Sequence, residues 1–215
     1  MKLTTIFFDL DDTLYPASSG LWPIIRNRIG AYMVERLGIP EKEMPFIRKQ
    51  LFEEYGTTLR GLQLTCQVDV PDFLAYVHDV NLSEYIQPDP VLKAVLDKVE
   101  ARKLIFTNAD KNHARRVLKV LQLENYFEDI IDVVALNPYC KPMAPAFDFA
   151  LKSTGETDPS CCVMIDDIAR TTRAAREYGM FSLLFGTKIQ NGDADVSFSD
   201  WSDLPGIIDR RINAS

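Results

Sequence analysis

Three carboxylates stand directly after an apolar run near the start of the chain. The run LTTIFF covers residues 3–8, and it is followed by Asp9, Asp11 and Asp12. A short apolar and β-branched run of this kind is typical of a buried strand in a parallel sheet. Clustered carboxylates repel one another unless a cation or a shared proton stabilises them. The end of this run therefore indicates a site for a cation and a charged substrate.

Polar side chains also follow the other apolar runs. Thr107 and Asn108 end the run KLIFT, Asp166 and Asp167 follow CCVMI, and Lys141 lies in the segment after IIDVVAL. In an open α/β sheet, ligands bind outside the carboxyl ends of the strands. Helix capping would explain Asp166 and Asp167 by themselves. The ordered set at successive strand ends instead predicts one shared site.

The residue types in this set suit phosphoryl transfer. Oxygen ligands without a histidine cluster favour Mg²⁺, which is commonly bound by one or two carboxylates and a substrate phosphate. A hydroxyl, an amide and a lysine beside the metal are suitable donors to three phosphoryl oxygens. An aspartate can form an aspartyl-phosphate, and a second carboxylate can protonate the leaving alcohol and then deprotonate water. Asp9 and Asp11 supply both acids from one turn.

The apolar runs alternate with helix-length amphipathic stretches along most of the chain. The runs are LTTIFF, KLIFT, IIDVVAL, CCVMI, FSLLF and a weaker ADVSF. The amphipathic stretches are DPVLKAVLDKVE, KNHARRVLKVLQL, PAFDFALKST and IARTTRAAREYG. Strand alternating with helix at this spacing predicts an α/β fold with a Rossmann-like, doubly wound parallel sheet.

One long segment interrupts this alternation. From about Pro16 to Ile86 there is no strong strand run, and the sequence carries the helical patterns GLWPIIRNRIGAYMVERLG, EKEMPFIRKQLFEEYG and VPDFLAYVHDV. This length is that of a small helical domain. We therefore predict a core domain formed by residues 1–15 and 87–215, with residues 16–86 inserted after the first strand as a helical cap domain.

Four short motifs, in this order, resemble the haloacid dehalogenase (HAD) superfamily of aspartate-nucleophile phosphatases. The motifs are DLDDT at Asp9–Thr13, FTN at Phe106–Asn108, the lysine of CKP at Lys141, and IDD at Ile165–Asp167. The resemblance implies a Rossmann-like HAD core, dependence on Mg²⁺ and a helical cap of the first type, C1. Such a cap favours small or medium-sized phosphorylated molecules, because its closure excludes bulk protein substrates and water.

The resemblance also implies a role for each motif residue. Asp9 would be the nucleophile and Asp11 the general acid and base, an acid that dehalogenases do not need because halide leaves without a proton. The metal ligands would be Asp9, Asp11 through its backbone carbonyl, and Asp166. The phosphoryl group would be held by Thr107, Asn108 and Lys141. Asp167 would orient Lys141 or metal-bound water. Asp167 and Thr13 would both lie outside the set of direct metal ligands.

A narrower resemblance, to the pyrimidine 5'-nucleotidase group, runs through both cap and core. It rests on LYPASSGLW, ERLGIP, YGTTLRGL, YVHDV, PDPVL and FTNADKNHARRVL, and it implies a pyrimidine nucleoside 5'-monophosphate as the substrate. The candidates for substrate specificity are Tyr15, Ser19, Trp22, Tyr55, Thr57, Thr58 and Arg60, with cap packing as the competing interpretation. One loop departs from the pattern of close relatives, since Ile168 and Thr171 occupy the usual serine and asparagine positions.

Two other kinds of function stay open. A sugar-phosphate phosphatase, a phosphoglycolate phosphatase or a phosphomutase of the same superfamily would use the same motif residues. A mutase would hold its aspartyl-phosphate against water until a second hydroxyl arrives. A phosphate-accepting signalling module also places acids, a threonine and a lysine around Mg²⁺. The long insertion and a presumed nucleophile on the first strand make that module the remote alternative.

The composition limits the partners and the compartment. The 24 basic and 31 acidic residues give a net charge of −7, which provides no field for binding nucleic acid or an anionic membrane. Cys161 and Cys162 are interpreted as small buried hydrophobes, and His78 and His113 as structural hydrogen-bonding residues. The start of the chain shows no signal-peptide or membrane-spanning pattern. We expect a cytoplasmic enzyme that binds a small phosphorylated metabolite as a monomer or a homodimer.

Overall fold

A six-stranded parallel sheet forms the centre of the protein in a computed structural model that describes residues 3–186, 190 and 192–213. The strands are β1 (Thr5–Phe8), β2 (Arg102–Phe106), β3 (Ile130–Ile131), β4 (Cys162–Asp166), β5 (Phe181–Phe185) and β6 (Val196–Phe198). Their order is β3-β2-β1-β4-β5-β6, and each neighbouring pair is parallel. This is the strand order of a doubly wound Rossmann-like sheet, so the predicted fold class is confirmed.

Helices connect the strands and bury the faces of the sheet. They are α5 (Pro90–Lys98), α6 (Lys111–Leu121), α7 (Ala144–Thr154), α8 (Ala169–Glu177) and α9 (Leu204–Asn213), numbered after the four helices described next. Asp89 and Asp110 accept main-chain N–H groups at the starts of α5 and α6, the N-cap role that aspartate favours. Side chains alternate along β1. Ile6 and Phe8 therefore join the larger apolar cluster of the sheet, while Phe7 joins a smaller one.

Four helices occupy the segment between β1 and α5, and together we term them the helical insertion. They are α1 (Leu21–Glu35), α2 (Met44–Tyr55), α3 (Thr58–Thr65) and α4 (Val70–His78). A third apolar cluster packs them against one another and against Val133 and Cys140 of the core; its buried members include Tyr32, Leu51, Leu62, Phe73 and Val77. The first turns of α1 instead pack on the larger cluster of the sheet, through Leu21 and Ile25. The insertion is therefore anchored at its start.

The sequence does not predict α3, because threonine and glycine are weak helix formers. Thr57 caps this helix by accepting a main-chain N–H of the first turn at 3.0 Å. Leu59 and Leu62 are buried. A Cβ added to Gly61 would lie 2.7 Å from the Leu51 side chain, so the glycine allows α3 to approach α2 closely. Packing between the two helices therefore outweighs the weak local preference.

The run IIDVVAL forms a shorter strand than predicted. Ile130 and Ile131 pair with β2. The carboxylate of Asp132 then accepts the main-chain N–H of Lys111 at 2.8 Å and that of Ala135 at 2.9 Å. These bonds turn the chain out of the sheet at its carboxyl edge.

Within residues 3–186, 190 and 192–213, no helix combines the length and the apolar character needed to cross a membrane.

The two adjacent cysteines differ in burial. Cys162, at the start of β4, is fully buried as predicted. Cys161 is only partly buried, because it still belongs to the short helical turn that precedes the strand.

Candidate active site

The strand-end residues of the three central strands lie together at the carboxyl edge of the sheet. Asp9 follows β1, Thr107 follows β2 and Asp166 ends β4. Lys141 comes from the segment between β3 and α7. Each of these four residues is at most 7% exposed. The edge therefore holds two carboxylates and an ammonium group that are almost withdrawn from water.

Lys141 is the centre of this arrangement. Its Nζ donates to Asp9 Oδ1 and to Asp166 Oδ2, at 2.7 Å each. Burial by itself would lower the pKa of Lys141, but the facing Asp166 and Asp9 raise it above its ordinary value, so the amine stays charged. The Asn108 side chain donates to the Lys141 carbonyl and accepts the Lys141 N–H, at 2.9 Å each. Asn108 therefore holds the loop that carries the lysine.

A third carboxylate completes a set that we term the acid cluster. Single oxygens of Asp9, Asp166 and Asp167 lie within 4.8 Å of one another, and Thr13 Oγ1 is 3.5 Å from an oxygen of Asp9 and of Asp167. Burial, together with the neighbouring carboxylates, raises the pKa of Asp167 to about 9. Burial also raises the pKa of Asp9 to about 7, although Lys141 acts in the opposite direction. One lysine does not balance three carboxylates, and an all-oxygen set of this kind fits Mg²⁺.

The carboxylate of Asp11 takes no part in the acid cluster. Tyr15 Oη donates to Asp11 Oδ1 at 2.6 Å, and His113 Nε2 lies 2.9 Å from the same oxygen. Burial tends to raise the pKa of Asp11, but His113 and the hydrogen bond of Tyr15 lower it below its ordinary value. Asp11 is thus ionised in the free protein. Its backbone carbonyl as a metal ligand stays a prediction.

Both histidines lie near Asp11, an arrangement that the sequence does not predict. His113 is in the first turn of α6 and His78 ends α4, and their rings stack with centroids 4.1 Å apart and planes at 19°. His78 Nδ1 is 2.6 Å from Asp110 Oδ2. A usable signal was present, because ADKNH follows the FTN motif directly. A helix that begins there carries its third residue within one turn of the site.

The side chains of the specificity candidates near the turn after β1 are largely held by contacts within the protein. Tyr15 is 2% exposed, and its hydroxyl is bound to Asp11. Ser19 Oγ accepts the Leu21 N–H at 3.2 Å, at the start of α1. Trp22 is partly buried against the larger apolar cluster of the sheet. Substrate contact by Tyr15, Ser19 and Trp22 stays a prediction, with packing and capping as their observed roles.

The turn between α2 and α3, residues 55–57, lies against the loop that carries Lys141. Cys140 Sγ donates to the Tyr55 carbonyl at 3.4 Å. A Cβ added to Gly56 would lie 2.9 Å from that sulfur, and the φ of 87° at Gly56 is one that favours glycine. Arg170 of α8 donates to the Gly56 carbonyl at 2.5 Å. The helical insertion therefore contacts the site through this turn.

The remaining specificity candidates lie on this turn and the start of α3. Tyr55 is partly buried against the apolar cluster of the insertion. Thr57 accepts the Arg60 N–H at 3.0 Å. Thr58 is 6% exposed, with its hydroxyl 3.5 Å from the Arg48 carbonyl. Arg60 Nε is buried and has no hydrogen-bond partner among the described residues. Arg60, on α3, therefore has a side-chain donor left for a substrate.

The loop that departs from close relatives still holds its carboxylate. Ile168 is 36% exposed, and its N–H donates to Asp166 Oδ1 at 2.9 Å. Thr171 is 2% exposed on α8. Because a main-chain group holds Asp166, the replacement of the usual serine does not release this acid.

The family follows from comparison with known proteins. A protein-family model for haloacid dehalogenase-like hydrolases matches residues 3–179, which include the four motifs and the acid cluster. The chain belongs to the haloacid dehalogenase-like hydrolase family. This HAD membership agrees with the sheet order and with the acids at the carboxyl edge of the central strands.

Relatives and solved structures are consistent with the family. Phosphate metabolism protein 8 of Saccharomyces cerevisiae is 29% identical in an alignment of 188 residues that covers 81% of this chain but only 59% of the yeast protein. A predicted phosphoglycolate phosphatase from Haemophilus somnus 129pt is 17% identical, with a TM-score of 0.68 over 97% of this chain and 99% of that one. The HAD-hydrolase YfnB from Bacillus subtilis, bound to magnesium, is 14% identical, with a TM-score of 0.63 over 97% and 99% of the two chains. These structures share the HAD fold.

The shifted pKa values in the acid cluster should make the stability of this HAD protein depend on pH. Without metal, the folded-state pKa values of Asp9 and Asp167 are about 7 and about 9, above the value of about 3.9 in an unfolded chain. At a pH between the unfolded-state pKa and the folded-state pKa of each carboxyl, the folded state binds more protons than the unfolded state. The contribution of Asp9 and Asp167 to the free energy of unfolding therefore falls as the pH rises from about 4 to about 9. Bound Mg²⁺ would offset this loss, because it favours the ionised carboxylates.

We expect Mg²⁺ to raise the Tm more at about pH 8.5 than at about pH 5.5, with about 2–4 °C for each kcal/mol of added stability. Thermal unfolding in excess EDTA and in excess Mg²⁺, at both pH values, measures this difference. The variant Asp167→Asn is the matched control, because it removes the carboxylate with the higher pKa and should shrink the difference. A Mg²⁺ effect that is equal at the two pH values would contradict the expectation.

Proposed function

We propose that this chain is a Mg²⁺-dependent phosphatase that hydrolyses a small phosphomonoester through an aspartyl-phosphate on Asp9. The observation that carries the proposal is the buried contact of Lys141 Nζ with Asp9 and Asp166, beside Asp167. A transferring phosphoryl group needs positive charge and preorganised donors next to the nucleophile. The carboxyl edge of the sheet supplies both in a site that excludes most water.

The phosphoryl oxygens would be held by Lys141 and by the end of β2. The Thr107 hydroxyl accepts the Ala109 N–H at 3.0 Å, which leaves its own hydrogen free to donate. The Asn108 side chain is bonded to the lysine loop, so its contribution would come from its main-chain N–H. Thr107 would then donate through its side chain and Asn108 through the backbone.

The reaction would proceed in two steps. Asp9 would attack phosphorus while the bond to the leaving oxygen breaks, and Asp11 would give a proton to that oxygen. Asp11 would then take a proton from the water that attacks the aspartyl-phosphate, which releases inorganic phosphate and regenerates Asp9. The lowered pKa of Asp11 in the free protein suits the second step, so proton uptake must accompany substrate binding in the first. Mg²⁺, held by the acid cluster and the Asp11 carbonyl, would neutralise the carboxylates and the developing charge.

We also infer that residues 16–86 act as a cap domain over a core of residues 1–15 and 87–215. Two observations support this division. Most of one apolar cluster comes from the four helices of the insertion. The turn at residues 55–57 contacts the loop that carries Lys141 through Cys140, and it contacts α8 through Arg170. A cap at this position would admit small phosphorylated metabolites and exclude larger partners.

A pyrimidine nucleoside 5'-monophosphate is the proposed substrate. The support is the resemblance to pyrimidine 5'-nucleotidases, which runs through both the insertion and the core. One observation favours a second candidate. The buried, unpartnered Nε of Arg60 suits a substrate with a second anionic group, such as phosphoglycolate, and a structural neighbour is described as a predicted phosphoglycolate phosphatase. A sugar phosphate or a phosphomutase reaction would use the same acids.

Phosphate release from a substrate panel tests these proposals. The panel contains UMP, CMP, dUMP, AMP, GMP, phosphoglycolate and hexose phosphates, each with Mg²⁺ and with EDTA. We expect release to require Mg²⁺ and to be fastest with UMP or CMP. Release led by phosphoglycolate and selectively weakened by Arg60→Gln would favour the second candidate. Absence of release from every substrate would overturn the phosphatase proposal.

A further inference from the structure

We propose that His113 is a positioning residue for the general acid Asp11, and that His78 holds His113 in place from the helical insertion. This inference rests on the proposed phosphatase function. It extends that function by assigning the two histidines of the chain a role in positioning Asp11. The role would be to orient the carboxylate that protonates the leaving group.

The hydrogen bonds to Asp11 are arranged on one oxygen. Tyr15 Oη and His113 Nε2 both contact Oδ1, at 2.6 and 2.9 Å. No hydrogen bond from the described residues reaches Oδ2. The His113 side chain is fully buried, while that of Asp11 is 15% exposed. The two donors therefore fix the carboxylate and leave its second oxygen for a substrate.

The remaining contacts of His113 fix its ring. Nε2 must carry the hydrogen that it donates to Asp11, and the buried Nδ1 has no partner within the described part of the chain. Asp110 Oδ1 accepts the main-chain N–H of His113 at 3.0 Å, as the cap of α6. His78 covers one ring face at a centroid distance of 4.1 Å. The only hydrogen bond of this imidazole among the described residues is thus the one to Asp11.

The helical insertion is connected to Asp11 through the stacked rings of His78 and His113. His78 ends α4, and its Nδ1 is 2.6 Å from Asp110 Oδ2. Arg116 of α6 donates to the main-chain carbonyls of His78 and Val80, at 2.7 and 2.5 Å. These bonds tie the end of the insertion to α6. The orientation of Asp11 therefore depends on how the insertion sits against the core.

A positioning role makes a prediction that a purely structural role does not. An alkoxide leaves phosphorus slowly unless it is protonated, whereas p-nitrophenolate leaves without a proton. Loss of acid orientation should thus slow the hydrolysis of an alkyl phosphate far more than that of p-nitrophenyl phosphate. General structural damage would slow both alike. The ratio kcat/KM reports the step that breaks the bond to the leaving group, so it is the quantity to compare.

The experiment uses two substitutions at one position. His113→Leu removes the donor, and we expect kcat/KM to fall by about 10-fold to 100-fold for UMP or another alkyl phosphate, but by less than about threefold for p-nitrophenyl phosphate. His113→Gln replaces Nε2 by an amide nitrogen and should restore most of the loss. Lys119→Gln, on the exposed side of the same helix, is the control. In an Asp11→Asn background, His113→Leu should add no further loss.

Each outcome decides between the proposals. Equal losses on both substrates, or no rescue by His113→Gln, would overturn the positioning role while leaving the phosphatase function in place. If wild-type protein releases phosphate from neither substrate, the phosphatase function fails and this inference fails with it. If His113→Leu does not fold, His113→Asn replaces it, because its shorter amide cannot reach Asp11. The selective loss is then expected for His113→Asn, and its absence would overturn the proposal.

Discussion

Replacement of Asp9 by asparagine is expected to lower phosphate release by at least about 10⁴-fold, because an amide cannot replace the carboxylate as the nucleophile. The fold should survive. Lys141 keeps its 2.7 Å contact with Asp166, and asparagine has nearly the size of aspartate. Burial raises the pKa of Asp9 to about 7, so the substitution removes a charge that is costly to bury. We therefore expect no loss of stability at about pH 8.

The matched control for this prediction is Asp12→Asn, which makes the same chemical change in the same turn. Asp12 has a φ of 58°, which asparagine also tolerates, and it lies outside the acid cluster. We expect Asp12→Asn to keep activity within about tenfold. Phosphate release and acid-quench trapping of a phosphoenzyme measure both variants. Wild-type-like turnover in Asp9→Asn would remove Asp9 as the nucleophile and most of the proposed mechanism.

Replacement of Lys141 by methionine is the second change with a large expected effect. It leaves the buried carboxylates of Asp9 and Asp166 without their shared cation, and removal of one partner of a buried ion pair costs about 3–5 kcal/mol. Lys141 is 2% exposed, so solvent cannot compensate. We expect this loss in EDTA at about pH 8. Activity should fall by at least about 10²-fold, because a donor to the phosphoryl group is lost.

Mg²⁺ should return part of the stability that Lys141→Met loses, because it would supply positive charge to the same carboxylates. Urea unfolding with Mg²⁺ and with EDTA measures this recovery. Lys141→Arg is the control that keeps the charge but changes the shape of the donor. It should recover stability more than activity. If Lys141→Met is as stable as the wild type in EDTA, the lysine is not the group that stabilises the buried acids.

The location of the site could be predicted from sequence because its residues stand at the ends of strands. Apolar runs that stop at Asp9, Thr107 and Asp166 mark those ends locally. Parallel strands share one carboxyl edge, so a local pattern also predicts that distant residues converge. The alternation of strand and helix likewise predicts the doubly wound sheet, which the structure confirms. The HAD family follows from the same motifs.

The local sequence pattern did not predict the secondary structure correctly where contacts between elements outweigh the helix or strand propensity of the residues. α3 forms because Gly61 lets it approach Leu51 of α2, although its two threonines and its glycine are weak helix formers. β3 ends after Ile131 because the Asp132 carboxylate accepts the main-chain N–H of Lys111, at the start of α6, and that of Ala135 in the following turn. Neither effect is visible in the periodicity of the residues concerned.

The sequence by itself therefore determined the fold class, the edge of the sheet at which the candidate site lies and the acids that gather there. Only the tertiary structure decided how those polar groups pair. Lys141 and Asp9 are 132 residues apart, and His113 and Asp11 are 102 residues apart. Periodicity reports which face of an element is buried, but not which neighbouring element meets a given side chain. The pairing of Asp11 with His113 depends on the packing of α6, and so it required the folded chain.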